Sequence, residues 1–188
     1  MGFLKRFLGV LAVFFGLLFI VSGIFMVTQG YAAKAEVKAE IAAEKITIPS
    51  AERPDGSVDE VVADVVPEQY QGKPVVDATT ARLQRRVILG HTLASTEGKR
   101  FAEMPRTVPK LDDAGNPVLD ENGKAVMVPN TARDLWITST TLQTALMQGY
   151  LALKIADLVM GLGALIAALG VFVLFVVTPI VFITGRRP

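Results

Sequence analysis

Hydrophobic and polar positions are distributed very unevenly along this chain. Phe7–Ala33 and Leu158–Gly185 contain no Asp, Glu, Lys, Arg or His. Each stretch exceeds the roughly 20 residues that a helix needs to cross a ~30 Å hydrocarbon core. Between them the pattern is that of an ordinary charged domain, and the 188-residue length leaves room for one small domain. The pattern predicts a mainly α protein. A two-helix transmembrane hairpin extends its helices into a small α+β extracytoplasmic domain that carries a β-hairpin insert. The predicted segments are a cytoplasmic tail at 1–6, transmembrane helix 1 at 7–31, the extracytoplasmic domain at 32–153, transmembrane helix 2 at 154–185 and a second tail at 186–188.

Finer periodicities sit inside this frame. Gly9, Gly16, Gly23 and Gly30 recur every seven residues in the first stretch. Seven residues is nearly two helical turns, so the glycines line one face with slow drift. Gly163 and Gly170 repeat the spacing in the second stretch, with Ala164, Ala167 and Ala168 nearby. Lipid provides little hydrophobic drive between helices, so close approach at small residues supplies the packing. The stripe therefore marks either the contact between the two spans or an interface with a partner or a second copy.

Beyond the first span, Ala32–Glu44 is rich in helix formers and lacks Gly and Pro, which extends the helix to about Lys45. Ala33, Val37 and Ile41 form an apolar row. Lys34 and Lys38 repel along a second row, and Glu36, Glu40 and Glu44 along a third. Those neighbours predict that another element docks here. In Ile46–Val76, Pro54-Asp55-Gly56 signals a turn, while Val58–Val66 fits helix and strand equally. Asp77 or Thr79 caps a helix reaching about Ala94. Leu83, Val87, His91 and Ala94 share one of its faces, and Arg82, Arg85 and Arg86 another. Asn122-Gly123, flanked by Pro117–Leu119 and Ala125–Val128, predicts a type I′ hairpin. Asn130 or Thr131 caps a last helix that runs into the second span, although Trp136–Thr141 is β-prone. Leu135, Leu142, Leu146, Gly149 and Leu153 follow heptad-like spacing along it.

Charge sets the expected orientation. Lys5-Arg6 precedes the first span and Arg186-Arg187 follows the second. Basic flanks stay in the cytoplasm, which places both termini inside and the domain outside a plasma membrane. Tyr150, Lys154 and Asp157 fall at the expected outer interface. A signal peptide with its cleavage site near Ala33-Lys34-Ala35 is the rival reading of the first stretch. The apolar run is too long for a signal h-region of roughly 7–15 residues. From Gly30 to Tyr150 there are 14 Lys and Arg against 17 Asp and Glu, a net −3 that argues against a nucleic-acid surface.

Candidate chemistry is sparse. With no cysteine, disulfides, thiol nucleophiles and thiolate metal sites are excluded. His91 is the only histidine, and it reads as a packed, hydrogen-bonded core residue. A calcium loop starting at Asp112 places Pro117 where glycine is required, and one starting at Asp120 places Lys124 at a ligand position. No phosphate-cradling glycine motif and no G-x-S-x-G is present. No catalytic, cofactor-binding or metal-ligating residue is therefore assigned, and no cofactor is expected. Arg82, Arg85 and Arg86 form a candidate anion or partner face, against a solvated helix face as the simpler reading.

Gly90-His91-Thr92-Leu93, Thr96–Met104, Ala132-Arg133-Asp134-Leu135-Trp136 and Leu158–Gly163 together resemble a family of small actinobacterial two-span membrane proteins. Their extracytoplasmic domain precedes a Gly-rich second span. Some members carry an aromatic ring-opening dioxygenase label. Such enzymes typically hold iron with two histidines and a carboxylate, and the single histidine here does not support that chemistry. The expected function is that of a non-enzymatic accessory or scaffold component presenting its domain to a larger membrane assembly. A ligand-binding or sensing module anchored by two spans is the alternative. The expected partners are the lipid bilayer and a membrane-protein partner or homo-oligomer, with no nucleic acid.

Overall fold

The computed structural model describes residues 2–184. Arg186, Arg187 and the side chain of Lys5, on which the expected orientation rests, lie outside the described residues. The fold is mainly helical, with a small two-stranded antiparallel sheet. Two helices are long and apolar enough to cross a membrane. The chain divides into two compact units. One joins the residues up to Glu44 with those from Leu151 onward, and the other is Lys45–Tyr150.

The first unit is a helical hairpin. Helix α1 spans Gly2–Ala43 without a break. It packs along the C-terminal part of α4, which spans Thr131–Phe172, and along α5 at Thr178–Thr184. Between α4 and α5, Val173–Val177 forms a π turn. Proline explains it. Pro179 has no N–H to continue the i→i−4 ladder, and the Thr178 hydroxyl donates to the Val173 carbonyl at 2.9 Å. Large apolar side chains cover the outside of the hairpin, Phe14, Leu17, Leu165 and Leu169 among them. On the extension of α1, Val37 and Ile41 are half-buried and Ala33 is exposed.

The second unit builds its core from Ile48, Val62, Val66, Val75, Leu83 and Val87, with Met104 and Trp136 buried further along. Its entry segment pairs with a later one: the Ile48 N–H donates to the Lys73 carbonyl at 2.9 Å, and the Val75 N–H to the Ile46 carbonyl at 2.8 Å. Val58–Val66, ambiguous by pattern, resolves into the short helix α2 at Glu60–Val65. Helix α3 spans Ala78–Ser95. Asp77 caps it in a reciprocal box, accepting from the Thr80 N–H at 2.8 Å while the Thr80 hydroxyl accepts from the Asp77 N–H at 3.0 Å. On α3, Leu83 and Val87 are buried, but Ala94 is exposed.

Strands β1 (Thr107–Pro109) and β2 (Met127–Pro129) pair antiparallel, with Val108 opposite Val128. Sequence pattern paired Pro117–Leu119 with Ala125–Val128. The structure keeps part of that pairing, with Leu119 opposite Ala125, inside a three-way junction that also takes in Lys110. Lys110 N–H donates to Val126 C=O at 2.7 Å, Val126 N–H to Val118 C=O at 2.8 Å, and Val118 N–H to Lys110 C=O at 2.8 Å. Two turns of one design project from this ring. Asp112 and Asp120 each accept from the Gly three residues on, at 3.0 Å in both turns. Their side chains accept from the N–H groups two and four residues on. Gly115 and Gly123 lie at φ of +82° and +73°. Asn122 is not at positive φ, so the Asn-Gly turn is a type I turn followed by a left-handed glycine and not the expected type I′. The eight-residue repeat Leu111–Val118 and Leu119–Val126 underlies this symmetry.

Helix α4 begins after Asn130, whose side-chain oxygen accepts from the Ala132 N–H at 3.1 Å. Trp136–Thr141 is helical despite its β propensity. Trp136, Ser139, Gln143 and Leu146 are buried in one row, and that inward face overrides local preference.

Candidate functional site

Five arrangements of residues stand out. The first is the small-residue seam in the hairpin. A Cβ added to Gly23 would lie 2.5 Å from both the Ala167 nitrogen and the Gly163 carbonyl oxygen. One added to Gly163 would lie 2.7 Å from the Gly23 carbonyl oxygen, and one added to Gly170 2.6 Å from the Gly16 carbonyl oxygen. Backbones touch at these two levels because no side chain intervenes. Gly9 faces the Phe182 ring, and Gly30 faces Met160 and the Ala156 carbonyl. Gly9, Gly16, Gly23, Gly30, Gly163, Ala167 and Gly170 all therefore lie along the contact of α1 with α4 and α5. Gly161 is different: nothing stands within 4 Å of a Cβ there.

The second arrangement is an ion pair within the same unit. The Lys34 ammonium donates to the Asp157 carboxylate at 2.5 Å, with both side chains partly exposed. By spacing along α1 alone, Lys34 stands in a repulsive row with Lys38. Its partner comes from α4, more than a hundred residues on, so spacing along α1 could not disclose it.

The third centres on Asp59. This carboxylate caps α2 by accepting from the Val62 N–H at 3.1 Å. It also accepts from the Arg53 guanidinium at 2.9 Å. The His91 Nε2 sits 3.1 and 3.0 Å from its two oxygens. The Asp59 side chain is 10% exposed and that of His91 is 43% exposed. Burial pushes the Asp59 carboxyl upward in pKa, but bonds from His91, the Val62 N–H and Arg53 outweigh it and hold the group at about 2. His91 is thus not the enclosed core residue its helix face suggested. It lies at the domain surface and ties α3 to the start of α2. Its helical neighbours include no carboxylate, and the partner arrives from a segment 32 residues away. Gly90 beside it makes close approach possible, since a Cβ there would collide with Val61 of α2.

A buried polar chain joins α3 to the first half of α4. The Thr92 and Ser139 hydroxyls are 2.6 Å apart, the Gln143 amide donates to Ser139 at 2.9 Å, and the Trp136 indole donates to the Lys99 carbonyl at 2.9 Å. Every member named has a partner, which is the condition for such a network to specify a packing geometry.

The fifth arrangement is the arginine face. Arg82 and Arg86 are exposed and Arg85 half-buried on α3. Among the described residues none of the three pairs with a carboxylate. A shallow groove elsewhere in this unit, lined by Glu52, Val58, Glu68 and Gln71 among others, shares no residue with it. Among the described residues, no three His, Asp or Glu side chains are grouped to hold a metal ion. In comparisons with known proteins the chain matches no family model, no curated protein and no solved structure.

Proposed function

We propose that this is a non-enzymatic integral membrane protein, an accessory or scaffold component that presents its Lys45–Tyr150 unit on the outer side of the plasma membrane to a larger membrane assembly. The observation that carries the reading is the backbone-to-backbone seam at Gly16, Gly23, Gly163 and Gly170. It makes the two apolar helices a single tightly packed anchor. The polar groups point the same way. Asp59 spends both oxygens on Arg53, His91 and its helix cap, the pattern of a structural clasp.

Protease accessibility in intact cells tests the topology. Tags before Met1 and after Pro188 are protected, and a site placed within Asn116–Gly123 is cut. An exposed terminus overturns the reading. Purification in gentle detergent, followed by mass spectrometry of intact assemblies, tests the role, with stoichiometric protein chains expected.

One observation favours a second reading, a ligand-binding or sensing module. Arg82, Arg85 and Arg86 lack acidic partners among the described residues, and guanidinium groups bind phosphate and carboxylate oxygens in bidentate geometry. A small anion retained by the purified protein and lost in an Arg82→Gln, Arg86→Gln variant would favour this module over the scaffold.

A further inference from the structure

Charge at one end of the hairpin is unevenly placed. Lys34 directly follows the uncharged Phe7–Ala33, and Asp157 directly precedes the uncharged Leu158–Gly185. Their ion pair therefore stands where the hydrocarbon layer ends. Lys38 on α1 and Lys154 on α4 lie one helical turn further out, a rise of roughly 4.5–6 Å. The headgroup layer on each side of a bilayer is roughly 5–8 Å deep, so both residues fall within it. Both are exposed, and neither forms an ion pair among the described residues. Both lie within electrostatic reach of the Asp157 carboxylate, so the three lysines form one cluster around it. Three ammonium groups thus meet a single carboxylate. Glu36 and Glu40, the acidic residues nearest them on α1, stand two positions from a lysine, roughly 160° round the helix. They occupy its far side. On α4 no further charge occurs from Leu135 to Leu153.

We propose that this cluster binds the phosphate of an anionic phospholipid headgroup, a site that rests on the reading of the hairpin as a membrane anchor. Depth and charge select this occupant. Lipid phosphates are the anions concentrated at the level of Lys38 and Lys154, and the acyl chains of the same lipid lie along the apolar surface of the hairpin below. A zwitterionic headgroup brings its own cation against the lysines, whereas an anionic one does not. Asp157 has a positioning part. It holds the Lys34 ammonium against α4, which leaves Lys38 and Lys154, with three N–H donors each, to meet the phosphate. Both helices continue past the cluster, α1 to Ala43 and α4 back to Thr131, so the lysine stems rise from regular helix and not from a loop. The attraction of one basic residue to an anionic membrane surface corresponds to about a five-fold preference. Lysines that only snorkel to water set no such preference between lipids.

The test reconstitutes the full chain in bilayers of equal phosphatidylglycerol and phosphatidylcholine. Gentle detergent then extracts it, and native mass spectrometry identifies the lipids it retains. Wild type retains phosphatidylglycerol in excess. Lys38→Gln and Lys154→Gln each lower the ratio of phosphatidylglycerol to phosphatidylcholine about five-fold. Lys73→Gln and Lys110→Gln, at exposed lysines of the other unit, make the same change in net charge and leave the ratio as in wild type. Equal ratios across the whole set, an equal fall in the control variants, or an acidic protein retained in place of lipid overturns the site. A carbonate wash of the reconstituted vesicles separates that result from failure of the anchor. A chain stripped from the vesicles overturns anchor and site together, whereas chains that stay inserted with equal ratios overturn the site alone.

Discussion

Replacing Asp59 with Asn removes one charge from the clasp while keeping its shape. Asn is as good an N-cap as Asp, so the bond to the Val62 N–H survives. What is lost is the carboxylate's preference for Arg53 and His91 over water. The Asp59 carboxyl is held at about 2 against an ordinary 3.8, and each tenfold change in proton affinity is worth about 1.4 kcal/mol. The ionised form therefore contributes about 2 kcal/mol to folding of the unit. The sign follows from linkage. A depressed carboxyl stabilises fully above its unfolded value near 4, and the contribution drains away as pH falls through 2. Trp136 is the only tryptophan and is buried in this unit, so its fluorescence follows unfolding directly. Denaturant titrations of the bilayer-reconstituted chain at pH 6, 4, 3 and 2 should show wild type about 2 kcal/mol more stable than Asp59→Asn at pH 6. The gap should narrow steadily below pH 4. Other carboxylates titrate in both proteins and cancel in the difference. A constant gap across the range, or none at pH 6, refutes the charge-based account of the clasp.

Two further substitutions probe close packing. Gly23→Ala places a Cβ against the Ala167 nitrogen and Gly163 oxygen, backbone atoms that cannot rotate away, and should cost about 1–3 kcal/mol in a bilayer unfolding assay. Gly161→Ala meets open space and should cost nothing; equal losses would remove the seam as the reason. In the other unit, Gly90→Ala drives a methyl into Val61 and should cost a similar ~1–3 kcal/mol. Val61→Ala in the same chain should recover part of that loss, and strict additivity in a double-mutant cycle would show that the two residues do not share the contact.

The two long apolar helices were legible in the sequence because a hydrocarbon-spanning helix imposes a length and a composition that no short-range context disguises. The seven-residue glycine spacing was legible for a related reason: helical geometry alone puts those positions on one face. The caps at Asp77 and Asn130 could be read because a cap is a local arrangement of a few residues. What the chain alone left open were the meetings between distant segments. Val58–Val66 carries too few residues to choose a period, and burial of Val62 and Val66 made the choice. His91 looked enclosed because its helix face is apolar, but nothing near it in sequence announced Asp59. Likewise Lys34 read as one of a repulsive row and Asp157 as an interface charge, until the hairpin brought them together. The three-way junction had a signal in plain view, the repeat of Leu111–Val118 in Leu119–Val126, yet cyclic bonding among Lys110, Val118 and Val126 needs three strands to converge. Helix and cap follow from interactions within a turn or two, whereas clasps, ion pairs and junctions depend on contacts that only tertiary packing selects.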